Sequence, residues 1–193
     1  YNHYMQKEIY EQKRIIENII KDKIGTTKIL PNIFGPQSDS MLKNIKHIHF
    51  VACGTSFNAA LVAKNWIEEV SNISCVAEIA SEFRHRKVNV LKDTLYVAIS
   101  QSGETADTYA ALDICNKNDM KTCAVVNVIV SSIARDSNFV LPIHCGPEIG
   151  VASTKAFLGQ ILVLYISGLK IGFMRNEIET KAYQEKIKDL KTL

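Results

Sequence analysis

The spacing of apolar positions changes character along the chain. From about residue 3 to 24, Met5, Ile9, Ile16 and Ile20 recur at roughly helical spacing, with Ile15 and Ile19 beside them and charges between. That pattern predicts an amphipathic helix. Residues 25–40 hold Gly25, Pro31, Gly35 and Pro36 and read as a connector. Beyond it, short apolar runs alternate with helical patterns. HIHFVA (47–52), ISCVAEIA (73–80), TLYVAIS (94–100), KTCAVVNV (121–128) and FVLPI (139–143) predict strands, and 57–70, 105–118 and 154–173 predict helices. Pro142 suits an edge strand or a strand end. The charged tail from Asn176 is helical in pattern.

Strand alternating with helix argues for an α/β fold: a doubly wound, mainly parallel, roughly five-stranded sheet flanked by helices, preceded by a helical arm. The expected division is an arm and connector at 1–40, the α/β domain at 41–175 and a helical tail at 176–193. The most apolar stretch, AFLGQILVLYISGL after Lys155, is shorter than the roughly 20 residues of a membrane span and is interrupted by Gln160 and Ser167. It reads as a buried core helix, and its bulky residues on nearly every face suggest that a neighbouring helix or a second copy of the chain must cover it.

Composition narrows the classes. Hydrophobic residues make up 47% of the 193 and charged residues 22%, as in a folded globular domain. A net charge of +3 gives no reason to expect a nucleic-acid groove or a polybasic membrane patch. The N-terminus YNHYMQKEIYEQKR has no apolar core of a secretory signal and no initiator Met, so the chain reads as a piece of something longer. The five cysteines Cys53, Cys75, Cys115, Cys123 and Cys145 are odd in number, form no CxxC and have no neighbouring His. They read as small buried hydrophobes in a reducing cytoplasm.

In a parallel sheet, ligands bind beyond the carboxyl ends of the strands. Three of the predicted strands end in loops rich in glycine and hydroxyls: Cys53-Gly54-Thr55-Ser56, Ser100-Gln101-Ser102-Gly103-Glu104-Thr105, and Gly146 to Lys155. Each leads into a predicted helix, whose N-terminus offers unpaired N–H groups and the positive end of a dipole. SQSGET adds three hydroxyls and an amide in six residues, a cradle suited to a phosphate monoester. The competing explanation is helix capping by Ser and Thr, which three such loops make less economical and which is compatible with phosphate binding. Neither a Walker lysine nor a GxGxxG occurs.

CGTS, SEFRHRK, ISQSGETADT and GPEIGVASTKAF together resemble the isomerase part of the glucosamine-6-phosphate synthase (glutamine–fructose-6-phosphate aminotransferase) family, and more broadly the sugar isomerase (SIS) family. YMQKEIYEQ resembles the opening of that isomerase part. The resemblance implies that Ser56, Ser100, Gln101, Ser102 and Thr105 hold the phosphate of fructose 6-phosphate, glucose 6-phosphate or glucosamine 6-phosphate. It implies that Thr55, Val151 and Ser153 face the sugar, Val151 through its backbone. It also implies transfer of glutamine-derived ammonia to fructose 6-phosphate in amino-sugar synthesis, no cofactor or metal, and a homodimer. The family's glutaminase domain and second SIS half would be partners within a longer chain, and that half carries the family's proton-transfer Glu, His and Lys. No KLKE motif occurs, so the resemblance implies no catalytic residue among these 193. Val130 stands where the family's turn has glycine. A non-catalytic sugar-phosphate sensor and a lyase or etherase of the same fold are the alternatives; EIGVASTKAF and SEFRHRK favour the synthase.

Other polar groups have plainer explanations. Glu104, Asp107 and Glu148 read as partners of helix starts rather than as acid–base pairs. The run Arg84-His85-Arg86-Lys87 reads as a solvated loop or an interdomain contact. His47 and His49 alternate on a strand and read as flanking its surface face, without metal-ligand spacing.

Overall fold

The apolar runs are strands of one parallel sheet. In the computed structural model, which describes residues 1–89 and 91–193, β1 (His47–Ala52), β2 (Ser74–Ile79), β3 (Thr94–Ser100), β4 (Lys121–Val126) and β5 (Phe139–Pro142) pair in the order β2-β1-β3-β4-β5. Every pairing is parallel. All of β3 is buried, because helices cover both faces of the sheet. At the β5 edge Val140 donates to the Phe34 carbonyl of the connector at 3.1 Å, so the edge is covered. Pro142 has the same outward parity as Val140, so its missing N–H takes nothing from the ladder.

On one face lie α1 (Tyr4–Lys23), α3 (Gly54–Ser71), α7 (Lys155–Met174) and α8 (Thr180–Leu190). Their core includes Ile19, Phe50, Ile67, Ile99 and Leu164. On the other lie α4 (Ala80–Phe83), α5 (Ala106–Lys117) and α6 (Ser132–Asp136), over Phe83, Tyr96, Leu112 and Ile133. The short α2 (Ser38–Leu42) closes the connector. The arm, connector and tail share the first of these cores: Ile15, Phe34 and Ile187 all belong to it. The Ile29 N–H donates to the Tyr183 hydroxyl at 2.9 Å and ties connector to tail.

Several expectations need correction. The helix after β1 begins at Gly54, not at 57, so Thr55 and Ser56 lie in its first turn. The fourth strand stops at Val126, and α4 and α6 are helices of four and five residues, too short to show a period in sequence. In α1 the stripe is buried only in its second half: Met5 and Ile9 are exposed, while Glu8 is 3% exposed. His49 does not flank a surface. It is buried between Phe83 and Tyr96, because α4 covers that face of β1. By length and composition α7 could cross a membrane. Here α1 and α3 pack against it and bury most of its residues, leaving Leu158, Ile161 and Tyr165 only partly covered. Its buried lysines are paired, Lys155 with Glu11 at 2.6 Å and Lys170 with Asp39 at 3.0 Å. Val130 occupies an exposed turn and does not have positive φ, so that turn forms without a glycine.

Candidate sugar-phosphate site

Strand order reverses direction at β1, which has β2 on one side and β3 on the other. A crevice opens at such a point beyond the carboxyl ends of the strands. Here it is a cleft of about 450 Å³ lined by the segment Cys53–Ser56, by Gln101, Ser102 and Thr105, and by Glu148 and Gly150–Ser153. Thr55, Ser56, Gln101, Ser102, Thr105, Val151 and Ser153 are thus brought together from segments up to about a hundred residues apart. The Val151 side chain is wholly exposed, so any part it plays falls to its backbone. Ser100 is set apart: it lies beneath the loop, 2% exposed, and its hydroxyl accepts from the Gly103 N–H at 3.0 Å.

At the starts of α3 and α5 the hydroxyls are not spent on capping, whereas at α7 the Ser153 hydroxyl accepts from the Phe157 N–H at 3.2 Å. The helix-start residues Cys53 of α3 and Thr105 of α5 make no side-chain cap bond among the described residues. The Thr105 hydroxyl turns instead to Ser100, at 2.9 Å. With Ser100 donating, the Thr105 O–H is left to donate into the cleft. Ser56 is similarly arranged. The Gln160 amide of α7 donates to its hydroxyl at 3.0 Å, leaving the Ser56 O–H to point elsewhere. Gln160 is buried, and the sequence shows it only as an interruption of an apolar run. Gly54 and Gly103 hold φ of +56° and +68°, which side chains other than glycine rarely adopt.

The third helix start differs. Glu148 accepts from the Thr154 and Ala156 N–H groups at 2.9 and 3.1 Å and from the Ser153 hydroxyl at 3.1 Å. The N-terminus of α7 therefore already holds a carboxylate, whereas the first turn of α3 has none and that of α5 has only Asp107, which is taken up by Arg84. No lysine or arginine lines the cleft among the described residues. An anion there would be held by N–H and O–H donors alone, as helix starts can do.

The remaining candidates fall outside the cleft. Glu104 accepts from the Ser132 N–H at 2.8 Å, which holds its carboxyl below the usual range and ties the SQSGET loop to α6. Asp107 takes Arg84 at 2.7 Å. Arg86 grips Glu78 through two bonds of 2.6 Å and keeps that carboxyl low. Two members of the basic run therefore make ties within the chain while their side chains stay partly exposed. Burial lowers the pKa of His49, and its bond to Glu78 at 3.0 Å opposes that shift. Burial pushes the Cys75 and Cys115 thiols up to about 12 and that of Cys145 up to about 11. Cys53 alone among the cysteines is partly exposed, in the cleft wall.

Residues 41–169 match the SIS domain, and the chain belongs to that family. Over its whole length it is 42% identical to the glutamine–fructose-6-phosphate aminotransferase (isomerizing) of Pseudomonas syringae pv. tomato, covering 32% of that protein. It is 47% identical over 91% of its length to the same enzyme of Idiomarina loihiensis, covering 29% of it. The chain thus spans about a third of the length of the curated relatives it matches. Among solved structures, the C-terminal domain of glucosamine-fructose-6-phosphate aminotransferase from Francisella tularensis superposes with a TM-score of 0.96 at 40% identity. It covers all of this chain, which in turn covers 54% of it.

Proposed function

We propose that the cleft binds a hexose 6-phosphate, namely fructose 6-phosphate, glucose 6-phosphate or glucosamine 6-phosphate. On this reading the chain is the sugar-phosphate-binding part of a glutamine–fructose-6-phosphate aminotransferase of the cytosol. The observation that carries it is the pair of helix starts, α3 and α5, that meet at one cleft without a side-chain cap among the described residues. The phosphate sits between them, taking hydrogen bonds from Ser56, Ser102, Thr105 and the Gln101 amide, with Ser100 setting the direction of the Thr105 hydroxyl. The sugar lies toward Thr55, the Val151 backbone and Ser153. Glu148 is kept on that side by its own hydrogen bonds, which partly offset its charge. Residues 41–175 form the binding unit, with 1–40 and 176–193 packed on it. The glutaminase domain and a second SIS half supply ammonia and the proton-transfer groups. No residue of this chain is assigned a catalytic role.

Calorimetry comparing fructose with fructose 6-phosphate tests the reading. The phosphorylated sugar is expected to bind at least about ten-fold more tightly, because two or three charge-assisted hydrogen bonds separate the two ligands. It is also expected to slow alkylation of Cys53, the thiol in the cleft wall. Equal binding of the two sugars, with Cys53 unprotected, would sink the assignment. A homodimer is part of the same proposal. Its support is the apolar groove where Ile16 and Trp66 meet Leu158, Ile161 and Tyr165, the partly exposed residues of α7. Sedimentation velocity that finds only monomer across a concentration series overturns that part.

A further inference from the structure

The loop that forms the sugar side of the cleft is held from outside the α/β unit. Glu8, on the arm helix α1, is 3% exposed. Its carboxylate accepts from the Ile149 N–H at 2.6 Å and from the Gly150 N–H at 3.1 and 3.2 Å. These are the residues just before Val151, and Gly150 itself lines the cleft. The approach is so close that a Cβ on Gly150 would lie 2.5 Å from Glu8 Oε2. Inside the same loop, Glu148 fixes Ser153 and Thr154. The loop is therefore pinned at both ends by carboxylates, one its own and one from the arm. One turn along α1, Glu11 pairs with Lys155 at 2.6 Å and anchors the arm to the start of α7. Glu11 makes no bond to residues 149–153 among the described residues.

The geometry points to Glu8 as the positioning residue for the sugar half of the site. It holds the backbone of 149–151 where the carbohydrate must be met, while the phosphate cradle stands on bonds of its own within Ser100–Thr105. This rests on the sugar-phosphate reading and adds a division of labour to it. Losing the clamp costs recognition of the sugar and leaves recognition of the phosphate. The carboxylate also matters as such: Oε1 accepts from both N–H groups, and an amide would put an NH2 donor where Oε2 now accepts from the Gly150 N–H at 3.2 Å.

The test is made on the full 193-residue chain with two probes, fructose 6-phosphate and inorganic phosphate. Glu8→Ala is expected to weaken fructose 6-phosphate by about ten-fold or more, a displacement effect of the size that misplaced positioning groups produce. Glu8→Gln should fall between it and wild type, and inorganic phosphate should bind all three alike. Gly150→Ala, which expels the carboxylate, should reproduce the loss and add little when combined with Glu8→Ala. Glu11→Gln is the control for stability: it strands a buried lysine and lowers the melting temperature, yet keeps the wild-type ratio of the two affinities. An unchanged ratio in both Glu8 variants overturns the clamp, as does an equal loss of both ligands, which would mark Glu8 as structural only. Wild-type protein that does not prefer fructose 6-phosphate to fructose overturns the reading beneath it, a failure visible before any variant is made.

Discussion

Gly103→Ala is expected to destroy the proposed phosphate cradle and to lower the melting temperature by about 10 °C. The backbone at Gly103 has φ of +68°, where an alanine costs about 1–2 kcal/mol. Space is the larger obstacle. An added Cβ would fall within contact-forbidding range of the Ser131 hydroxyl and side-chain carbon, which belong to the residue that starts α6. Overpacking of a buried site typically costs about 1–3 kcal/mol. With both costs, a loss of roughly 3 kcal/mol is expected, and each kcal/mol shifts the midpoint of a chain this size by about 2–4 °C. Relief can come only from moving the loop off α6. That breaks the bond from the Ile133 N–H to the Gly103 carbonyl and the bond from Ser132 to Glu104. Ser100, Ser102 and Thr105 move with the loop, so sugar-phosphate affinity should fall by about a hundred-fold. The Ser131 hydroxyl has no partner among the described residues, so Ser131→Gly removes the obstacle at little cost. The double variant Gly103→Ala/Ser131→Gly should recover most of the stability, keeping only the conformational penalty. Calorimetry and thermal melts decide. A single variant with wild-type affinity would show that the loop does not set the cradle.

The physics of burial explains which parts of this arrangement were legible in the sequence. Strands such as Thr94–Ser100 announce themselves because both faces are covered, which requires the continuous apolar run Leu95 to Ile99. Pro142 pointed to an edge, and β5 is at the edge. The loops after β1 and β3 were readable because glycine and hydroxyls concentrate where a backbone must turn and present donors. The start of α3 was not, since Gly54, Thr55 and Ser56 have neither helical propensity nor apolar period. The burial of His49 escaped because alternation on a strand separates its faces without saying what covers each one. Glu8 and Gln160 escaped for a different reason. Their partners lie 141 and 104 residues away, Ile149 for one and Ser56 for the other. A glutamate in a charged helix and a glutamine in an apolar one carry no local sign of such contacts. The supports of the cleft are thus tertiary, while its lining is local.

The second large effect is expected far from the cleft, where α3 and α7 cross. Gly172→Ala should destabilise the chain by about 3 kcal/mol or more, the upper part of the range for overpacking. An added Cβ would meet the Val70 carbonyl oxygen of α3 far inside contact distance, and the Ile178 side chain at 2.9 Å. The first obstacle is backbone and cannot rotate aside. Alanine's better helix propensity returns about 1 kcal/mol and does not offset it. Gly168 lies one turn earlier on the same helix and makes the comparison fair. There a Cβ would meet Ile67 Cγ1 at 2.8 Å but no backbone atom nearer than 3.4 Å, so Gly168→Ala should cost less. The two helices are tied again at the other end, where Gln160 reaches Ser56. Val70 and Ser56 are about 20 Å apart along α3 by helix rise. If α3 moves as a rigid rod, prying it off α7 at Val70 tilts the turn that holds Thr55 and Ser56. Gly172→Ala should then weaken fructose 6-phosphate even in conditions where the protein remains folded, and Gly168→Ala should not. Urea unfolding of both variants, with affinity measured well below each midpoint, separates the two effects. Equal stability of the two variants would mean that the helices have room to part at Gly172, and the close crossing would not be what sets the wall of the cleft.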